Sequence, residues 1–270
     1  MASIVRSGGN TVNAEDKGGE SVRITDEVYL VGGGANICFG LSDDPDCHVY
    51  LIDGGSELAL IDCGMADGQS LERILAHVRG DGLDPAKIAR IIVTHYHMDH
   101  AGGAARFRDR LGVEVIAPAG AAHALRTGDE RAVALDMAKA AGFYAQDYRF
   151  EPVEVAREVS EGERIAVGRL ELEVIETPGH CDGHVSYLLR GRQRTYLFAG
   201  DAVFSGGRVV LQNIHDCSIQ KSAASIAKLM SLEFDALLPG HAAICLDDGK
   251  RHVDLAFQAC QSLFVPKNLI

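Results

Sequence analysis

Apolar residues in this chain keep a strand-like spacing, switch to a helical one, and then make the same switch again. Short runs around 22–31, 36–40, 47–53 and 58–62 are β-branched or aromatic and are broken by Gly, Asp and Pro. That pattern predicts antiparallel strands joined by turns, with a hairpin at 54–56. From Gln69 to Val78 the apolar positions Leu71, Ile74, Leu75 and Val78 recur at helical spacing, and Ser70 stands where an N-cap belongs. Ile91, Ile92 and Val93 predict a strand, 103–111 a helix and 113–117 a strand, the grammar of an α/β layer. A mainly helical insertion follows near 127–150, its far end carrying Phe143, Tyr144, Tyr148 and Phe150. The second round predicts strands near 163–167, 170–176, 184–190, 195–199 and 208–211. A helix near 219–232, a strand at 235–238 and a helix near 249–262 complete it. No Pro/Gly/Ser linker divides the two rounds, so 21–270 is expected to share one core. Residues 1–20, rich in Gly, Ser, Asn and charge without a hydrophobic period, predict a mobile arm.

Composition narrows the partners. A formal net charge of −12 and a pI near 5.3 repel a phosphate backbone, so nucleic acid is not an expected substrate. No stretch is long and apolar enough to cross a bilayer, and the N-terminus carries no signal-type apolar run. The expectation is a cytoplasmic protein with a small-molecule substrate, no membrane partner, and a homodimer left open. Seven cysteines, an odd number without a C-x-x-C pair, predict reduced thiols. Cys181 and Cys217 fall near the chemistry described next; small buried filler is the ordinary role for each.

His95, His97, Asp99 and His100, in IIVTHYHMDHAGG, place four metal-binding side chains immediately after an apolar β-run. Imidazole nitrogen and carboxylate oxygen are the donors that zinc-like divalent ions prefer, and side chains released at a strand end can splay around one point. Three further segments place a His or Asp just beyond a predicted strand: ThrProGlyHis at 177–180, AlaGlyAsp at 199–201 and ProGlyHis at 239–241. Glycine beside each donor lets the backbone turn sharply and come close. His184 reads as a supporting residue behind the ligands, and His215 as a pocket residue. His48, His77, His123 and His252 sit in ordinary contexts and are expected at the surface.

The order His-x-His-x-Asp-His, then His180, Asp201 and His241, resembles the metallo-β-lactamase fold superfamily, in its lactonase and glyoxalase II-like branch. The likeness runs from about 22 to 262. It implies an α/β fold, a four-layer αββα sandwich, with a dinuclear metal site at one edge of two facing sheets. It further implies that His95, His97 and His180 hold one ion, that Asp99, His100 and His241 hold the other, and that Asp201 bridges them. Asp62 matches a position that orients a ligand histidine from behind. Two divalent ions, zinc first and iron or manganese as alternatives, would supply a hydroxide nucleophile near neutral pH, with Asp99 moving the proton.

Within that family, true β-lactamases usually lack a carboxylate where Asp201 stands and are exported. Hydroxyacylglutathione hydrolases carry a further helical domain, whereas 29 residues follow His241 here. The length, the complete ligand set and the insertion resemble lactonase and esterase-like members, including acyl-homoserine lactonases, and imply a small ester, lactone or thioester substrate. Those lactonases often place a Tyr three residues after the bridging Asp; Phe204 occupies that position, so either Tyr144, Tyr148 or another group polarises the carbonyl, or the substrate is not an acyl-homoserine lactone. The rival readings are a persulfide dioxygenase-like oxidoreductase with one iron held by two His and an Asp, and a hydroxyacylglutathione hydrolase-like thioesterase.

Overall fold

Two β-sheets face each other across a shared apolar layer, and each carries helices on its outer face. The computed structural model describes residues 3–5, 11–13 and 21–270. The first sheet runs in chain order through 22–23, 28–32, 49–53, 58–61, 88–92, 114–118 and 157–159. Its early strands pair antiparallel, 22–23 with 28–32 and 49–53 with 58–61 through short turns and 28–32 with 49–53 across the long loop 33–48; pairing becomes parallel between 58–61 and 88–92, where the helix Ser70–Gly80 makes the crossover that parallel strands need. The second sheet repeats the scheme: 164–167, 170–176, 185–190 and 195–200 are antiparallel neighbours, and 195–200 pairs parallel with 236–239 across the helix Ile219–Met230.

Strand alternation sorts the core. Leu30, Tyr50, Ile52, Ile61 and Ile92 meet Leu172, Tyr187, Tyr196, Phe198 and Leu238 between the sheets. Their neighbours Val31, Leu51, Leu60 and Ile91 turn outward onto Ile74, Leu75, Val78 and Phe107 of the helical layer. On the far side Leu197, Ala199 and Leu237 pack against Ile226, Leu229, Val253 and Ala256. Both faces of each sheet are therefore covered, and so the strands read as continuous apolar runs instead of alternating ones. This is the αββα sandwich that the resemblance implies.

Parallel pairing gives the layout its chemical use. His95, His180, Asp201 and His241 each follow the C-terminal end of a strand, and these ends open on one edge of the sandwich. Gly240 N–H bonds Gly200 C=O at 2.8 Å, which ties the Asp201 turn to the His241 turn.

Several expectations are corrected. Residues 36–40 form no strand but a loop closed by Gly40 N–H to Gly34 C=O and Leu41 N–H to Gly33 C=O. Segment 208–211 is likewise irregular, joined to the rest by bridges Phe204 to Arg208 and Val209 to Asn268. Ser70 does not cap its helix; Gln69 holds that position, and the Ser70 hydroxyl accepts from Asp43 N–H. The insertion near 127–150 contains one short helix, Leu135–Ala140, set among turns. Within the expected arm, Ser3–Val5 and Thr11–Asn13 are strands at the edge of the second sheet, Ser3–Val5 pairing with 244–245; the remainder of 1–20 lies outside the described residues. His48 is buried, its Nδ1 3.0 Å from Pro239 C=O. All seven cysteines are free. Among the described residues no helix is long and apolar enough to cross a membrane.

Candidate metal centre

Asp62 fixes the first ligand loop. Its backbone is left-handed at φ 57°, which turns the carboxylate back over the strand end. Oδ1 accepts from Thr94 N–H at 2.7 Å, and Oδ2 accepts from the Thr94 hydroxyl and from His100 Nδ1, each at 2.8 Å. A carboxylate on Nδ1 orients the ring and leaves Nε2 as the atom presented to the site.

Around that point the donors form overlapping sets whose ligand atoms lie within 4.8 Å of one another: His95, His97 and His180; His95, His100 and Asp201; Asp99, His100 and His241. His97 Nδ1 is 2.8 Å from His180 Nε2, and His100 Nε2 is 3.3 Å from His241 Nε2. His241 Nε2 lies 3.1 Å from Asp99 Oδ2. Asp201 stands between the groups, Oδ2 being 3.6 Å from His180 and 3.7 Å from His241, with Oδ1 3.5 Å from His100. All seven expected ligands thus converge on one buried point.

Electrostatics divide the cluster. Burial pushes the His95, His97 and His180 imidazoles down, His97 to about 3. Burial also lowers His100 and His241, but surrounding anionic groups, Asp201 among them, lift both well above the ordinary value. Asp99 is raised by burial and then drawn down by His100 and His241, to about 2. The anionic surroundings that favour a proton on His100 and His241 would equally favour a cation in its place. His95 Nε2 and Asp201 Oδ1 are buried without a hydrogen-bond partner. Buried polar atoms are almost always paired, and an atom left over in a converging His/Asp set fits a metal ion.

Residues behind the ligands hold them in place. His184 Nε2 accepts from Asp201 N–H at 2.9 Å. Its Nδ1 must then carry the proton, which it gives to Thr177 Oγ1 at 2.9 Å; Thr177 passes a bond to Ser186, whose hydroxyl donates to Ala199 C=O at 3.2 Å. Burial holds His184 neutral, as that chain requires. Cys38, absent from the sequence expectations, places Sγ 3.4 Å from His241 Nδ1. Cys47 lies on the other side, its thiol grouped with Asp62 and His100, whereas Cys181 is buried under Tyr96 and Cys217 accepts from Gln212 N–H. No pattern around CysPheGly marks Cys38, because it arrives on an irregular loop whose sequence predicts a strand. The motif glycines are needed for space: a Cβ on Gly240 would overlap Asp201 Oδ1 and come within 2.6 Å of His100, and one on Gly200 would lie 2.6 Å from His184 Nε2.

With that geometry in view, the family model described as the metallo-beta-lactamase superfamily matches residues 43–241, a span that holds all seven donors. The chain belongs to the metallo-beta-lactamase superfamily. A hydroxyacylglutathione hydrolase of Rhodospirillum rubrum is 33% identical over 162 residues, which cover 60% of this chain and 50% of that protein. The acyl-coenzyme A thioesterase MBLAC2 of Gallus gallus is 27% identical over 212 residues, 72% of each. Among solved structures, the subclass B3 metallo-beta-lactamase BJP-1 of Bradyrhizobium japonicum superposes with a TM-score of 0.68 at 25% identity, covering 90% of this chain and 92% of that one. The chain spans about half the length of the first curated relatives it matches.

In this metallo-beta-lactamase superfamily chain the centre opens into a cavity of about 770 Å³. His97, Asp99, His180, Asp201 and His241 form its floor, and Tyr144 joins the wall with its hydroxyl 3.5 Å from Asp99 Oδ1. The other expected pocket residues lie elsewhere. Phe204 is fully buried, 6.4 Å from the His241 ring, where it packs and does not line the cavity. Tyr148 stacks behind Tyr144 with ring centres 6.0 Å apart. His215 faces solvent beside Asp216. Asp216 braces this loop instead, accepting from the Tyr96 hydroxyl and from Asp182 N–H.

Proposed function

We propose that the chain is a metal-dependent hydrolase that cleaves a small ester, lactone or thioester with two divalent ions of the zinc class. The observation that carries this is Asp201, a buried carboxylate set between two donor groups, one of His95, His97 and His180 and the other of Asp99, His100 and His241. Ions bound there supply a hydroxide near neutral pH and a Lewis acid for the substrate oxygen. The thioesterases among the relatives support an acyl substrate.

The chain's own groups do the rest. Asp99 faces the cavity with Oδ1 and stays ionised, so it can take a proton there and return it to the leaving atom. Burial and then the Asp99 charge hold the Tyr144 phenol well above its ordinary value. It therefore remains a neutral donor, and its long contact to Asp99 is easily exchanged for a substrate carbonyl oxygen. Tyr144→Phe is expected to lower kcat on the order of 10²-fold with metal content unchanged, as measured by steady-state kinetics and elemental analysis; an unaltered kcat would remove Tyr144 from the reaction.

The reading is tested by metal quantitation followed by a panel of ester, lactone, thioester and phosphodiester substrates. Two zinc-like ions per chain with turnover of an acyl bond are the expected result. A single iron with oxygen-dependent thiol chemistry would overturn it in favour of an oxidoreductase.

A further inference from the structure

The cavity is apolar where it meets solvent as well as where it is enclosed. Four lining side chains at its mouth, Ile37, Met137, Phe143 and Ile270, are 40%, 42%, 71% and 62% exposed. Large apolar side chains grouped on one rim mark a surface that receives an apolar ligand. Beyond the donor set and the Tyr144 hydroxyl, the polar lining residues are neutral amides, such as Asn36 and Gln212, or acids, Asp44 and the buried Asp46. Among the described residues no Lys or Arg lines the cavity. Arg208 belongs to a second cavity of about 460 Å³ that shares only Ile37 with the first. Carboxylates and phosphates leave water only where charged or multiple hydrogen-bond partners receive them, and the exposed Asp44 carboxylate on the wall repels them.

Resting on the hydrolytic reading above, we propose that the substrate is an uncharged acyl compound with a long apolar chain and a small leaving group that bears no phosphate or carboxylate. The acyl chain leaves the centre along Val133 and Leu135 and crosses the rim between Met137 and Ile270, covering side chains that otherwise face water. The amides at Asn36 and Gln212 suit a neutral polar leaving group.

The test uses the zinc-reconstituted full chain and two matched series, butanoyl to decanoyl thioesters of N-acetylcysteamine, which are uncharged, and the same thioesters of coenzyme A, which carry phosphates. The kcat/KM is expected to rise about threefold per added methylene and to favour the uncharged series by at least about tenfold at each length. Met137→Lys, which sets a cation on the rim, is expected to narrow that preference. Equal or better use of the coenzyme A series, or no dependence on chain length, overturns the proposal. A separate arm follows displacement of Nile red by butanamide to decanamide. Tighter binding with length, in a protein that hydrolyses none of the thioesters, sinks the hydrolytic reading but keeps the lipophilic cavity. Turnover with no length dependence in either arm does the reverse.

Discussion

Asp201→Ala is expected to lower kcat/KM for the acyl substrate by at least about 10³-fold, equivalent to about 4 kcal/mol of transition-state stabilisation. The side chain reaches both donor groups, so its loss removes the one anion they share. The surrounding positions hold without it: Asp201 N–H is fixed by His184, and the neighbouring turn is tied through Gly200 and Gly240. The sandwich, whose core lies between and outside the sheets, does not depend on that carboxylate. Circular dichroism should therefore remain native while elemental analysis shows fewer than two ions per chain. Asp201→Asn sharpens the test, because a carboxamide keeps the volume but loses the charge and one acceptor oxygen. Full activity in Asp201→Asn would show that shape and not charge is needed at this point, and the two-ion reading would fail with it. His97→Ala should lose activity to a comparable degree, since His97 and His180 stand as a pair 2.8 Å apart.

Much of this centre is legible in the sequence because each donor follows an apolar run that ends a buried strand. Such runs are local signals, and parallel pairing then brings their ends to one edge whatever the loop details. The misread segments have partners that no local pattern reveals. Ala35 to Gly40 contains a short apolar run, yet Gly33, at φ 145°, and the turn closed onto it carry the chain out of the sheet. That turn is what sets Cys38 against His241 and Ile37 on the cavity rim. Val209 and Val210 look like strand residues, but Val209 N–H bonds Lys267 C=O and Leu269 N–H bonds Val209 C=O, a pairing set by the distant C-terminal segment. His48 precedes a strand and looks like an ordinary turn residue. Only the meeting of the two sheets gives it Pro239 C=O as a neighbour. Tyr144 and Tyr148 share spacing and type; which of them faces the cavity is decided by how the turns after Leu135–Ala140 fold back on Asp99.

Removing the ions should cost the fold as well as the activity. Thermal unfolding of the chelator-treated protein is expected to begin at least about 10 °C below that of the zinc-loaded protein. A ligand at 1,000 times its Kd adds about 4 kcal/mol per site, and each kcal/mol moves Tm by roughly 2–4 °C in a chain of this class. The structural reason is that burial forces His95, His97 and His180 to stay neutral while two buried donor atoms, His95 Nε2 and Asp201 Oδ1, have no hydrogen-bond partner. A cation answers both demands at once. Its pH dependence has a definite sign. The surroundings of His100 and His241 favour protonation, and a proton on either imidazole nitrogen competes with an ion for it. Affinity therefore falls as pH falls, and the gap in Tm between loaded and chelated protein should narrow between about pH 7.5 and pH 5.5. Differential scanning fluorimetry across that range checks both the size of the gap and its direction without any substrate. Identical melting with and without zinc at pH 7.5 would mean that these seven side chains pack together for reasons other than holding ions.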